Sequence, residues 1–347
     1  YLARLETATS TNHVDKMKAV LNQENKPEPA NVFINYALGK ELEDLEKWDE
    51  AFDFYRKAGN GVKAVLRYSV EQDEALINQV INSCNEEWYL SKLSSAKVDQ
   101  GEKKPIFLVG LPRTGTTLAE KIVAGHSEIE SIGETQYFEL ALRSNCDVKN
   151  PAKMTPEVIS SLLNLDMRKL ATQYLDKTRY LWGDKEFFID KLPHNFLYLG
   201  FFAAAFPDSP IIWIRRNPMD ACFAMFKQLF TGVYEFTYSL DDLARYYVMY
   251  DKLYKHWKTI LGNRIVEIAY EDLVTDVVGT TRLLFDKLKL EFEAECIDFN
   301  KNIGTSSTAS SVQVREKVHS KSVMRWKQFE TQLEPLRSKL EGAGIKL

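Results

Sequence analysis

The spacing of apolar residues changes near residue 100. Before it, apolar side chains recur at intervals of three and four with few β-branched runs, which predicts amphipathic helices broken at 24–29, where Pro27 and Pro29 fall. The charged stretch KVDQGEKK at 97–104 reads as a linker. After it, short apolar runs at 105–110, 187–190, 210–215 and 264–269 predict strands. Helical patterns lie at 117–125, 195–206, 218–230, 240–261 and 278–288. Strands alternating with helices predict an α/β fold with a mostly parallel sheet flanked by helices. The expected division is an all-α domain over 1–98 and an α/β domain over 105–347.

Within the helical part, residues 31–65 fit one tetratricopeptide-type (TPR-like) hairpin. Leu38, Gly39 and Leu42, then Ala51, Tyr55 and Ala58, are the small and large residues such a repeat places where its two helices cross. An ordinary helical hairpin satisfies the same pattern. Residues 1–23 fit a degenerate partner, and 71–94 fit one or two further amphipathic helices.

Composition narrows the partners. A chain of 347 residues with 45% hydrophobic and 12% aromatic side chains can bury a sizeable core. Its net charge of −4 argues against nucleic acid as a partner, so an anionic small ligand needs a local basic site. Cys84, Cys146, Cys222 and Cys296 are scattered and show no metal-ligand spacing, so no metal site and a reduced, cytoplasmic setting are expected. The longest apolar run, 195–206, is too short to span a bilayer, and the amino terminus lacks a signal-peptide pattern, so no integral membrane segment is expected.

The candidate chemistry begins at 105–118, PIFLVGLPRTGTTL. A strand here runs into a turn rich in Gly and Pro, and Thr116 and Thr117 can start a helix, so loop amides and the helix amino terminus converge where an anion would sit. The spacing Gly110 to Gly115 is that of the phosphate loop GxxxxGK[ST], except that Thr116 stands at the lysine. A triphosphate enzyme would lack a principal clamp, whereas Arg113 can supply positive charge to a ligand without a γ-phosphate.

LPRTGTTL resembles the 5′-phosphosulfate loop of sulfotransferases that use 3′-phosphoadenosine 5′-phosphosulfate (PAPS). The resemblance implies a P-loop-type sheet and PAPS as co-substrate, with no metal required. It also implies donor contacts from Arg113, Thr114, Gly115, Thr116, Thr117 and Leu118. IIWIRRNPMD at 211–220 is similar to the family's 3′-phosphate motif, which places Arg216 on that phosphate. The family usually carries a serine eight residues later; here Ala224 stands there, with Cys222 two positions early. One hydrogen bond to a charged group, worth about 1.5–3 kcal/mol, is thereby missing from the pattern. AYEDLV at 269–274 resembles the segment whose tyrosine lies near the nucleoside, here Tyr270. SSVQVR at 310–315 and MRW at 324–326 resemble the closing 3′-phosphate segment, making Ser310, Arg315 and Arg325 candidate ligands.

Sulfuryl transfer requires cations around the leaving oxygen and a base for the acceptor hydroxyl. Arg113 and Lys191 are the expected cations, Lys191 lying in DKLPHN at 190–195, a segment that resembles the family's DKxPxN signature. HSEIESIGET at 126–135 resembles tyrosylprotein sulfotransferases, whose base is the glutamate before the threonine, here Glu134. The rival base is His194, because small-molecule sulfotransferases use histidine and imidazole titrates near neutrality.

The implied function is PAPS-dependent sulfuryl transfer by in-line displacement to a hydroxyl acceptor, small molecule or peptide, with a protein partner for the helical domain. The alternatives are a nucleotide kinase or hydrolase and a catalytically silent nucleotide-binding protein. The aromatic-rich stretch 223–238 fits either an acceptor cleft or core.

Overall fold

The computed structural model describes residue 3 and residues 6–23, 28–93, 103–149, 151–298 and 320–347. Helices come first: α1 (Asn12–Leu21), α2 (Glu28–Asp44), α3 (Trp48–Lys63), α4 (Val70–Ser83) and α5 (Glu86–Leu93). The α/β part continues with β1 (Lys104–Gly110), α6 (Thr116–Val123), β2 (Ile129–Ser131), α7 (Tyr137–Arg143), α8 (Pro156–Leu162) and α9 (Met167–Thr178). Then follow β3 (Phe187–Asp190), α10 (Leu199–Ala205), β4 (Ile211–Arg215), α11 (Pro218–Phe226) and α12 (Leu240–Leu261). The chain ends with β5 (Ile265–Ala269), α13 (Tyr270–Thr275), α14 (Val277–Leu288) and α15 (Glu330–Gly342).

The chain divides into two compact units, each assembled from separate stretches. One comprises Tyr1–Glu71, Asn217–Val248 and Lys321–Leu347; the other comprises Gln72–Arg216 and Met249–Ser320. The helices over 72–93, which the sequence groups with the amino-terminal domain, belong with the sheet. Trp88 meets Phe201 edge-on at 5.0 Å, and its indole N–H donates to the Leu163 carbonyl at 3.0 Å.

The sheet unit holds five parallel strands in the order β2-β3-β1-β4-β5. Alternation along the strands makes two apolar faces. Ile106, Leu108, Ile189, Ile212, Ile214, Val266 and Ile268 pack against Ala119, Ile122 and Val123 of α6 and against Leu284 and Phe285 of α14. On the other face Phe107 stacks on Phe202 at 3.6 Å and meets Phe138 and Tyr174 edge-on at 5.0 and 6.1 Å. Four strands coincide with the apolar runs in sequence. The fifth, β2, is three residues long and reads Ile-Glu-Ser, too short and too polar to register as one. The helix expected over 195–206 divides into a 3₁₀ turn, Pro193–Tyr198, and α10.

In the helical unit α2 and α3 form a hairpin. A Cβ on Gly39 would lie 2.6 Å from the Tyr55 ring, so only glycine permits this crossing. The Tyr55 hydroxyl donates to Glu43 at 2.9 Å, and Glu43 also receives Lys227 Nζ at 2.7 Å and Arg325 Nε at 3.2 Å. Burial would raise the Glu43 carboxyl, but these partners, Lys227 foremost, hold it below the usual range. Phe52, Phe223, Phe226 and Phe329 form one cluster with centroid distances of 4.4–6.5 Å. Phe223, Phe226, Phe236 and Tyr238 are all buried, so most of the aromatic stretch is core of this unit.

Candidate active site

The site grows from the carboxyl ends of the strands, where parallel α/β sheets present their loops. After β1 the chain turns through three residues of positive φ, Gly110 (157°), Arg113 (66°) and Gly115 (97°). Gly110 and Gly115 are required: an added Cβ would lie 2.5 Å from the Ile214 carbonyl oxygen at the first and 2.4 Å from the Tyr270 ring at the second. Thr114 donates to the Leu111 carbonyl at 2.6 Å, which closes the turn. Thr114, Thr116 and Thr117 are buried, and Leu118 packs on the aliphatic core, so any ligand contact from Leu118 comes through its backbone.

Neighbouring strands deliver the other groups. Arg216, just beyond β4, donates from Nη1 to the Arg113 carbonyl at 3.0 Å, and its guanidinium lies 4.6 Å above the Tyr270 ring at the end of β5. The structure therefore brings Arg113, Gly115, Arg216 and Tyr270 together around one loop.

Strand parity sets the other half. Asp190 pairs in register with Phe107 and lies on the aromatic face, where its Oδ2 accepts from the Tyr174 hydroxyl at 2.9 Å and the Thr135 hydroxyl at 2.8 Å. Burial raises this carboxyl to about 7, against the lowering effect of those hydroxyls. Lys191, the next residue, turns to the α6 face and is 1% exposed. Its ammonium donates to Glu134 and lies 3.3 Å from Glu120 Oε2. Glu134 remains 39% exposed, open to solvent. His194 is partly buried beside Phe196, at 5.5 Å between ring centroids, and burial pushes its imidazole down to about 4. His126 is structural: Nε2 meets the Glu291 carbonyl at 2.9 Å and Nδ1 accepts from the Glu128 amide at 3.1 Å.

Arg325 belongs to the helical unit, where its guanidinium pairs with Glu43 and lies 4.6 Å from the Trp48 ring. Ser310 and Arg315 fall outside the described residues. Ala224 sits on α11, and Cys222 is fully buried with its thiol pushed up by burial, which leaves it no role as a replacement donor for an anion. Among the described residues no cluster of three or more His, Cys, Asp or Glu is arranged to hold a metal, and no helix is long and apolar enough to cross a membrane.

Sequence reasoning missed Glu120, Ser131 and Thr135. Glu120 lies four residues after Thr116, on the same side of α6, and that spacing was the available signal.

A glycine-bearing loop with Arg113, a second arginine stacked on a tyrosine and a buried lysine between carboxylates stand at the strand ends of this parallel sheet. The chain belongs to the sulfotransferase family, whose family model matches residues 105–294. It is similar to an uncharacterized protein of Aquifex aeolicus (strain VF5), 27% identical over 341 residues, covering 96% of this chain and 44% of that protein. The chain spans less than half the length of the curated relatives it matches. The sulfotransferase domain of the Synechococcus PCC 7002 olefin synthase aligns at 18% identity over 67% of this chain and 90% of that one, with a TM-score of 0.47. A mouse sulfotransferase, SULT7A1, complexed with PAP aligns at 16% identity over 74% and 90%, with a TM-score of 0.42.

Proposed function

We infer that this chain transfers a sulfuryl group from PAPS to a hydroxyl acceptor, with Glu134 as general base. The observation that carries the reading is Lys191, a buried ammonium held directly against a half-exposed carboxylate, Glu134, at the mouth of the sheet. Burial of an ammonium is costly even when carboxylates pair with it, and a site that retains one has use for positive charge.

In this reading the loop 113–118 holds the 5′-phosphosulfate, Arg216 the 3′-phosphate, and Tyr270 the nucleoside side. Ser310, Arg315 and Arg325 keep their sequence-based assignment as further candidates for the 3′-phosphate. Glu134 accepts the acceptor's proton as the new O–S bond forms. The bond between sulfur and the 5′-phosphate oxygen breaks, and Lys191 and Arg113 neutralise the charge left on that oxygen. Adenosine 3′,5′-bisphosphate leaves as product. The site then belongs to the tyrosylprotein type, and the α2–α3 hairpin serves as a TPR-like element for a protein partner.

The test is Glu134→Gln. Turnover of PAPS with a panel of hydroxyl acceptors should fall about 10²–10⁴-fold, while affinity for adenosine 3′,5′-bisphosphate stays unchanged. Under the same assay His194→Ala should retain activity. Intact turnover in the first variant together with its loss in the second would transfer the base to His194. A folded wild-type chain that fails to bind the bisphosphate would overturn the donor assignment itself.

A further inference from the structure

Lys191 touches two carboxylates, and the proposed chemistry uses only one. Glu120 stands on α6, the helix that begins in the phosphate loop. Its Oε2 lies 3.3 Å from Lys191 Nζ, and its Oε1 accepts from the Ser131 hydroxyl at 2.6 Å. Ser131 ends β2, and its oxygen in turn accepts from the Gly133 amide at 3.0 Å. The Gly133 carbonyl accepts from the Lys191 amide at 3.0 Å, and Glu134 receives the Lys191 ammonium. The ring is closed: α6, the end of β2, the loop presenting Glu134 and the end of β3 all meet at Glu120 and Lys191.

We propose that Glu120 is a positioning residue for sulfuryl transfer, holding Lys191 charged and in place while Glu134 takes up the acceptor's proton. The inference rests on the reading of Glu134 as base. Its physical core is charge balance. The cluster carries two carboxylates and one ammonium, and Lys191 is 1% exposed. When Glu134 is protonated it ceases to be an anionic partner, and an ammonium buried with no counter-charge loses its proton or its position. Glu120, itself only 13% exposed, keeps one negative charge beside Lys191 through that moment. It also fixes the loop geometry through Ser131 and Gly133, so that the base and the cation are carried on one frame.

Among the described residues, the titratable groups beside Lys191 are Glu120 from α6, Glu134 from its own loop, and Asp190 and His194 flanking it in sequence. Asp190 is turned to the opposite face, toward Thr135 and Tyr174. The alkaline limb of turnover against pH is therefore expected to depend on Glu120.

Glu120→Gln keeps the size and an acceptor oxygen but removes the charge. The expected result is a fall in kcat of about tenfold or more, unchanged affinity for adenosine 3′,5′-bisphosphate, and an alkaline limb displaced to lower pH. Glu120→Asp should recover part of the rate and restore the limb. A lower kcat with a superimposable pH profile, or no effect on either, overturns the proposal. A readout independent of turnover separates this from failure of the functional reading: mass-spectrometric mapping of amine acylation at alkaline pH. Lys191 should acylate faster in Glu120→Gln than in the wild type, whether or not the wild type turns over PAPS, and equal rates overturn the anchoring role. Should Glu120→Gln not fold, Ser131→Ala, which leaves both charges in place, keeps the proposal falsifiable. Ser131→Ala is expected to slow turnover without moving the alkaline limb, and a moved limb counts against the charge argument.

Discussion

Asp190 and His194 flank Lys191, and burial drives their proton equilibria in opposite directions. Asp190 is raised to about 7, so the folded protein holds a proton that the unfolded carboxyl releases near pH 4. Its contribution to stability is complete below about pH 4 and is lost as pH rises toward 7. His194 is lowered to about 4, whereas the unfolded imidazole protonates near 6.5. Its contribution is complete above about pH 6.5 and is lost as pH falls toward 4. The two slopes oppose one another across the same window. Thermal melts from pH 4 to 7 should therefore show Asp190→Asn gaining stability with pH more steeply than the wild type, and His194→Gln losing it. Parallel profiles in all three proteins would contradict this assignment of protons. Neither environment is readable from DKLPHN, because Tyr174 and Thr135 reach Asp190 from other elements and His194 packs on Phe196, just past the segment.

At the scale of elements, local chemistry explains most starts and turns. Asn217 caps α11 by accepting from the Met219 and Asp220 amides, and Pro218 takes the first helical position, where its missing N–H costs nothing. That capping was legible in RRNPMD. The next residue's role was not. Asp220 is buried, and its two carboxylate oxygens accept from the Met324 amide at 2.6 Å and the Trp326 amide at 2.9 Å, more than a hundred residues away. MRW is thus held by an aspartate on α11 within the helical unit. Asp220→Ala should destabilise this unit by about 3 kcal/mol, since two buried amides lose a charged acceptor. Urea unfolding followed by tryptophan fluorescence measures it, and a loss below about 0.5 kcal/mol would show that water replaces the carboxylate. β2 escaped sequence reading for a related reason. Its three residues become a strand only because β3 lies beside them.

At the scale of the whole chain, a net charge of −4 coexists with a proposed site whose cations are Arg113, Arg216 and Lys191. These side chains are the expected counter-charge for the donor, so binding of adenosine 3′,5′-bisphosphate should persist in excess EDTA and weaken as ionic strength rises. Calorimetry checks both, and loss of binding on chelation would return the nucleotide kinase reading to favour. The sequence alone determined the α/β class, four of the five strands, the strand-to-helix loop after β1 and the threonine that stands there at 116, because each is written in contiguous residues whose period and turn chemistry act locally. Tertiary structure decided what those residues face. Strand parity sent Asp190 to one side of the sheet and Lys191 to the other. Strand order brought Arg216 and Tyr270 against the loop at Arg113 and Gly115. Helix α6 delivered Glu120, a residue with no motif of its own, to the ammonium that the proposed reaction depends on. Side-chain neighbours across strands are set by register and packing, and those are properties of the folded chain rather than of any segment of it.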